Sequence, residues 1–198
     1  MTDAARKLMT ADEFLHWRLD RPGTWELDNG VPQRKFDNGH ELMAGGTLNH
    51  VRVAGNLIAA LRPRLRGGPC SPLGSDLAVR NTEDRVRQPD VTIACGKGRG
   101  SDLAATEPRV IFEVLSPSTR RYDLVKKADE YRRMPSVRHL VLLEADQPRA
   151  LVWTRDEDAD WRLDEVDGLG GDILLPAVGA TLPMAEVYED VDLADAPA

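Results

Sequence analysis

The amino-acid sequence predicts an α/β protein in which a mixed central β-sheet is flanked by helices. The first observation is the order of the elements: a helix comes before three strand-like segments, and a second helix separates these from a fourth. A helical crossover between strands is typical of such a sheet. The second observation is residues 109–115, RVIFEVL, an almost wholly apolar run of the kind found in strands covered on both faces. We therefore expect an α-β-β-β-α-β core with an additional C-terminal β-hairpin.

The chain has 198 residues, of which 41% are hydrophobic and 30% charged, as in one soluble globular domain. We place the core of this domain at about residues 25–155 and treat residues 156–198 as an acidic C-terminal extension. The N-terminus lacks the apolar centre of a signal peptide, and no apolar stretch is long enough to cross a bilayer. We expect a cytoplasmic protein without a membrane partner.

The N-terminal segments carry clear local signals. Thr10 precedes a short helix as its N-cap, and Glu13, three residues later, completes a capping box. Residues 25–27 predict a strand that enters a turn at Asn29-Gly30, because Asn and Gly tolerate positive φ. Residues 31–47 are polar and Gly-rich, which predicts a loop or an irregular hairpin.

An amphipathic helix follows, since apolar residues recur at steps of three and four between residues 51 and 65. Asn49 is the predicted N-cap. Pro63 falls near the end of the helix, and Gly67-Gly68 stops it.

The second predicted helix spans residues 119–134, with Ser118 or Thr119 as its cap and Pro135 at its end. A polar turn is expected at residues 81–89, and the last two strands form a hairpin around residues 156–160. The remaining strands are predicted at residues 75–80, 90–95, 109–115, 137–145, 149–155 and 161–167.

The two cysteines, Cys70 and Cys95, match no metal-binding spacing. The sequence leaves a disulfide open, but buried thiols are the expected state in a reducing cytoplasm.

Charge is distributed unevenly along the chain. Residues 144–198 carry 15 acidic and 3 basic side chains, whereas residues 1–143 carry 18 acidic and 23 basic ones. The net charge of −7 argues against a general polyanion binder, but a locally basic face beside an acidic flank is compatible with it. The alternative is ordinary solvated surface charge.

Four acidic residues lie on or beside predicted strands: Glu26, Asp76, Asp90 and Glu113. An ionised carboxylate inside an apolar strand is costly unless it is paired with a cation. Mg²⁺ is commonly held by one or two carboxylates together with waters and phosphate oxygens. If the strands of Asp90 and Glu113 pair, both side chains converge on one ion. A salt bridge for Glu113 and a strand-start hydrogen bond for Asp90 remain the alternatives.

The second helix adds a basic group to these acids. Asp123, Lys127 and Tyr131 recur at steps of four and share one face, with Lys126 beside it. A lysine that points towards metal-binding carboxylates can stabilise developing negative charge. An exposed helix lysine is the alternative.

Residues 87–96 and 108–146 resemble the Uma-type putative restriction endonuclease family, which belongs to the PD-(D/E)xK nuclease superfamily. The resemblance runs from about residue 25 to residue 153 and is most specific at PD, residues 89–90, and at EVLSPST, residues 113–119. It implies a restriction-endonuclease-like fold and metal-dependent cleavage of DNA.

Residue by residue, the resemblance implies metal ligands at Asp90 and Glu113, with the Val114 carbonyl as a third. The superfamily lysine usually stands two residues after the acid, where this chain has Leu115. The resemblance implies that Lys127 replaces it from the following helix. Three further residues are implied or suggested as supporting groups: Glu26, Asp76 and His50.

The implied cofactor is Mg²⁺, with Mn²⁺ as a substitute, and the implied partner is duplex DNA bound by a homodimer. Few aromatic residues accompany the basic ones, which favours phosphate contact over base stacking. An inactive nucleic-acid- or protein-interaction module on the same scaffold is the main alternative, and a homodimer assembled through the acidic C-terminal region is another. The basic residues predicted to contact phosphate are Arg62, Arg64, Arg66, Arg120 and Arg121.

Overall fold

The computed structural model describes residues 8–35, 46–116 and 120–193. Its helices are α1 Ala11–Trp17, α2 Leu48–Arg64, α3 Arg120–Tyr122, a π-helical stretch Asp123–Lys127, α4 Ala128–Arg132 and α5 Met184–Val187. Its strands are β1 Trp25–Asp28, β2 Val31–Arg34, β3 Cys70–Gly74, β4 Val79–Thr82, β5 Arg85–Arg87, β6 Val91–Cys95, β7 Pro108–Leu115, β8 His139–Glu144, β9 Arg149–Arg155, β10 Trp161–Asp167, β11 Asp172–Leu175 and β12 Ala180–Pro183. Within these ranges, none of the helices has the length and apolar character needed to cross a bilayer.

The central sheet has six strands in the order β10-β9-β8-β7-β6-β3. Strands β7 and β8 are parallel and the other neighbours are antiparallel, because the helical run from α3 to α4 carries the chain across the sheet between β7 and β8. The predicted mixed sheet, the crossover and the β9–β10 hairpin are therefore confirmed.

A second sheet of four strands has the order β2-β1-β5-β4, and it corrects the prediction in two places. Residues 75–80 were expected to form a strand of the central sheet, but β4 starts only at Val79 and belongs to this second sheet. The edge strand of the central sheet is β3 instead. Its Pro72 and Gly74 disfavour a strand in the sequence pattern, but an edge strand tolerates proline.

Strands β2 and β5 also lie where the sequence predicts irregular structure. The Asn29-Gly30 turn has positive φ at both residues and pairs β2 with β1. The first part of the segment predicted as a loop or an irregular hairpin is therefore a regular hairpin. Strand β5 lies inside the predicted polar turn at residues 81–89, and Val86 pairs with Leu27. The polar composition of β5 predicts a turn. Its two arginines can lie in a strand because acids that are distant in sequence pair with them.

The main hydrophobic core lies between one face of the central sheet and α2. Leu57 and Leu61 of α2 pack in one cluster with Ile93 and Phe112 of the sheet and Leu182 of the C-terminal β11–β12 hairpin. Segments beyond residue 155, predicted as an extension, thus contribute to this core. The other face of the sheet is covered by α4.

The helix caps agree with the prediction at α1 and differ at α2. Thr10 and Glu13 form the predicted capping box. At α2 the N-cap is Thr47 rather than Asn49, whose side chain instead pairs with the backbone of Asp192. The predicted caps Ser118 and Thr119 lie outside the described residues.

The cysteines also differ from the expectation of free thiols. Cys70 and Cys95 are opposite each other on β3 and β6 and form a disulfide. Pairing of two neighbouring strands brings the sulfurs together, which the spacing of the cysteines in the sequence did not indicate.

Candidate active site

The register of β6 and β7 brings Asp90 and Glu113 together. Val91 is paired with Phe112, so Asp90, the residue before β6, lies beside Glu113 on the neighbouring strand. Both side chains are buried, with exposed fractions of 7% and 2%. Two neighbouring buried acids require nearby cations, because a buried charge without a partner is strongly unfavourable.

Asp90 is fixed through one oxygen and faces Lys35 and His50 with the other. The Val114 backbone N–H donates to Asp90 Oδ2 at 2.8 Å. Asp90 Oδ1 lies 2.9 Å from Lys35 Nζ and 3.3 Å from His50 Nε2. Burial by itself raises the pKa of Asp90, but Lys35 and His50 outweigh it and hold that pKa below its usual range.

Glu113 shows the same division between its two oxygens. Tyr131 O–H donates to Glu113 Oε1 at 2.8 Å, and Lys127 Nζ lies 3.3 Å from the same oxygen. Glu113 Oε2 lies 4.0 Å from Lys35 Nζ. Burial raises the pKa of Glu113 to about 7, although Lys127 and Lys35 oppose the shift.

The helix after β7 supplies Lys127 and Tyr131 through an irregular turn. Its middle part, Asp123–Lys127, is π-helical, a conformation often found at functional sites. Lys127 Nζ lies 3.1 Å from Asp123 Oδ1 and 3.5 Å from Glu26 Oε1 as well as near Glu113. Burial lowers the pKa of Lys127, but these three acids raise it well above its usual value.

The neighbouring lysine, Lys126, points elsewhere. It pairs with Asp28 and keeps 39% of its side chain exposed, whereas Lys127 is almost fully buried. Between the two lysines, the structure therefore brings Lys127 into contact with the acids of the site.

Glu26 joins the site to a second buried ionic network. It accepts a hydrogen bond from the Gln88 backbone N–H at 3.1 Å and lies between Lys127 and Arg87. Arg87 is 1% exposed and donates to both oxygens of Glu130, at 2.8 and 2.9 Å. Burial lowers the pKa of Arg87, but Glu130 and Glu26 raise it above the ordinary value, so the guanidinium stays charged.

Asp76, a supporting candidate, is not buried with these acids. Its side chain is exposed, and its backbone carbonyl accepts a hydrogen bond from Arg18. His50, in contrast, lies against Asp90 as described above.

The predicted phosphate-binding arginines are also not gathered at the acids. His50 is near the start of α2, whereas Arg62 and Arg64 are at its end, roughly 20 Å away by the rise of a helix. Arg64 makes a two-pronged salt bridge with Glu186, and Arg120 pairs with Glu144. Arg66 is exposed just beyond the helix. The side chain of Arg121 is outside the described part of the structure.

Sequence reasoning missed Lys35, which contacts both acids from the residue after β2. The sequence signal for Lys35 was the Asn29-Gly30 turn. In a hairpin around this turn, the residue five positions after Gly30 lies beside the start of β1. Lys35 N–H donates to the Thr24 carbonyl, which completes that register.

The donor set fits a hard divalent cation. Asp90 and Glu113 each direct one oxygen towards the same position, and carboxylate oxygens are the ligands that Mg²⁺ and Mn²⁺ prefer. Among the described residues, no group of three or more His, Cys, Asp or Glu side chains is placed to hold a metal. A Mg²⁺ site needs only one or two carboxylates, with waters and phosphate oxygens completing it.

The mixed sheet with one parallel crossover agrees with the restriction-endonuclease-like fold class expected from the sequence. The comparisons name the family. The model of the Uma2 family, described as "Putative restriction endonuclease", matches residues 11–185, and the chain belongs to that family.

Two relatives and one solved structure are also similar to this chain. The uncharacterized protein slr1290 of Synechocystis sp. is 31% identical over 140 residues, 69% of this chain and 73% of that one. The uncharacterized protein sll1609 of the same organism is 26% identical over 178 residues, 87% of this chain and 96% of that one. The crystal structure of "a putative nuclease belonging to DUF820" from Anabaena variabilis has the same fold, with a TM-score of 0.65 and 15% identity over 91% of this chain and 97% of that one.

Proposed function

We propose that this protein is a metal-dependent endonuclease that hydrolyses phosphodiester bonds of duplex DNA in the cytoplasm. The observation that supports this most is the paired arrangement of Asp90 and Glu113. Each carboxylate has one oxygen held by the protein and one directed to a shared cation position. Both oxygens face Lys35 Nζ, and we propose that a divalent cation takes this position in the active protein.

The residues around the acids have distinct tasks in this proposal. The Val114 N–H fixes the orientation of Asp90, and Tyr131 fixes that of Glu113. The amide and carbonyl of a strand residue point to the same neighbouring strand, so the Val114 carbonyl is on the side of Asp90 and is the proposed third ligand. A bound Mg²⁺ supplies the Lewis acidity that activates water and offsets phosphate charge.

Lys127 is the proposed catalytic cation. Its ammonium stays charged because Glu113, Glu26 and Asp123 surround it. It adds positive potential on the Oε1 side of Glu113, in a buried environment where charge is weakly screened.

DNA is proposed to extend from the acids along α2, which carries Arg62 near its far end and is followed by Arg66. Phosphate contacts at a distance from the cleaved bond set the position of the duplex without reading its sequence. A homodimer would offer the same surface twice and place two sites on the two strands.

A plasmid cleavage assay with Mg²⁺ or Mn²⁺ tests the proposal. We expect Asp90→Asn to abolish metal-dependent nicking while the protein stays folded, because the change keeps the shape and removes the charge that binds the metal. The matched control is Asp158→Asn, an exposed acid in the β9–β10 turn, which we expect to nick at the wild-type rate. Wild-type nicking by Asp90→Asn would reject the assignment.

The structure also favours a second candidate, an inactive interaction module on the nuclease scaffold. Lys35 and Lys127 already offset the charge of the acids, so the fold does not need a metal for that purpose. A thermal-shift titration separates the two candidates. Stabilisation by Mn²⁺ in the wild type and its loss in Asp90→Asn supports the nuclease, whereas no shift in either supports the module.

A further inference from the structure

The position between Asp90 and Glu113 is occupied by a group of the protein itself. Lys35 Nζ lies 2.9 Å from Asp90 Oδ1 and 4.0 Å from Glu113 Oε2, which are the two oxygens not held by Val114 or Tyr131. The ammonium also donates to the Gln88 carbonyl at 2.6 Å. Oxygen–metal distances for Mg²⁺ are about 2.0–2.1 Å, so an ion on these oxygens and this ammonium exclude each other.

The acids do not depend on Lys35 for their orientation. Asp90 is held by the Val114 amide, and Glu113 by Tyr131 and Lys127. Lys35 follows β2 of the four-stranded sheet, whereas Asp90 precedes β6 and Glu113 lies in β7 of the central sheet. Movement of the Lys35 side chain would therefore leave both carboxylates in place.

Lys35 offsets the negative charge of Asp90 and Glu113. Two carboxylates facing one point repel each other, and a buried uncompensated acid is strongly unfavourable. The Lys35 ammonium places a positive charge 2.9 Å from Asp90 and 4.0 Å from Glu113, and its own side chain is only 7% exposed.

We propose that Lys35 is an internal counter-ion that holds the cation position between Asp90 and Glu113 until a divalent metal displaces it. This inference rests on the proposed metal site. The wild-type protein binds metal only in the fraction of molecules whose Lys35 has moved away, so its affinity is lower than that of the acids alone.

Calorimetric titration of Mn²⁺ into Lys35→Met tests this without relying on cleavage. We expect Lys35→Met to bind Mn²⁺ at least about tenfold more tightly than the wild type, because no ammonium has to be displaced. The matched control is Lys97→Met, which removes the same charge from an exposed loop and should stay within about twofold of the wild type. Equal affinity in the two variants would overturn the proposal.

A labelling experiment on the wild-type protein removes any dependence on how well the variant folds. Acetylation by acetic anhydride, followed by peptide mass spectrometry, should be slow at Lys35 without metal and faster with saturating Mn²⁺. Acetylation at Lys97 should not change. Protection of Lys35 under both conditions would overturn the proposal.

The outcomes separate this proposal from the proposed function. If Mn²⁺ binds equally to all variants and the wild type nicks plasmid, the displacement is wrong and the nuclease stands. If Mn²⁺ binds to neither the wild type nor Lys35→Met, both fail. Binding by Lys35→Met alone supports the displacement.

Discussion

Lys127 lies close to three acids from a position that is only 3% exposed. Its neighbours Glu113, Glu26 and Asp123 would each lose a counter-ion if its charge were removed. Breaking a buried ion pair by removing one partner is much more costly than replacing both partners. Lys127 therefore stabilises the folded protein in addition to its proposed catalytic role.

We therefore expect Lys127→Met to lower the free energy of unfolding by about 3–5 kcal/mol at neutral pH. Lys126→Met should lower it by no more than about 1 kcal/mol, because Lys126 is partly exposed and solvent screens its pair with Asp28. Urea denaturation of the two variants measures the difference. Equal losses would show that Lys127 is not held as described.

His139, at the start of β8, joins the central sheet to the C-terminal segment. The Ala177 N–H donates to His139 Nε2 at 3.2 Å, and His139 Nδ1 lies 3.2 Å from Thr154 Oγ1. A ring nitrogen that accepts a hydrogen bond carries no proton, so this contact requires a neutral imidazole. Burial, and secondarily the charge of Arg138, lowers the pKa of His139 to about 4.

This shift predicts how stability depends on pH. The unfolded chain binds a proton at His139 below about pH 6.5, whereas the native protein does not until about pH 4. The contribution of His139 is therefore complete above that window and is lost as the pH falls through it, by up to about 3 kcal/mol.

The measurement is the urea midpoint at about pH 7 and pH 5, compared between the wild type and His139→Gln. We expect a smaller loss on acidification in the variant, which has no proton to bind. His16→Asn, at an exposed position of α1, is the control and should follow the wild type. Identical losses in wild type and His139→Gln would contradict the prediction.

At the scale of the molecule, contacts between residues far apart in the sequence hold the sheets of the described residues together. The Cys70–Cys95 disulfide links β3, an edge strand of the central sheet, to β6. Asp90 is the residue directly before β6. The disulfide closes a segment with a sequence separation of 25 and so restricts the unfolded chain.

Reduction should lower the free energy of unfolding by about 3.5 kcal/mol, a value expected from the length of the closed segment. Urea denaturation with and without dithiothreitol tests this in the wild type. The double variant Cys70→Ser/Cys95→Ser serves as control and should show no response to the reductant. A wild type that also shows no response would mean that the disulfide does not stabilise the fold.

The sequence by itself determined the features that depend on near neighbours in the chain. The capping box of Thr10 and Glu13, the turn at Asn29-Gly30 and the apolar strand around Glu113 were all predicted from their own segments. The convergence of Asp90 and Glu113 was also within reach, because it needs only the pairing of two consecutive strands of the central sheet.

Only the tertiary structure decided which basic side chains contact these acids and which lie elsewhere. Lys35 reaches Asp90 across 55 residues, through a hairpin in another sheet, and no local pattern encodes that register. The same holds for strand β3, the Cys70–Cys95 disulfide and the separation of Arg64 from the site. Each depends on how sheets and helices pack, and packing energy is shared among many distant residues, whereas a cap or a turn is stabilised within a few.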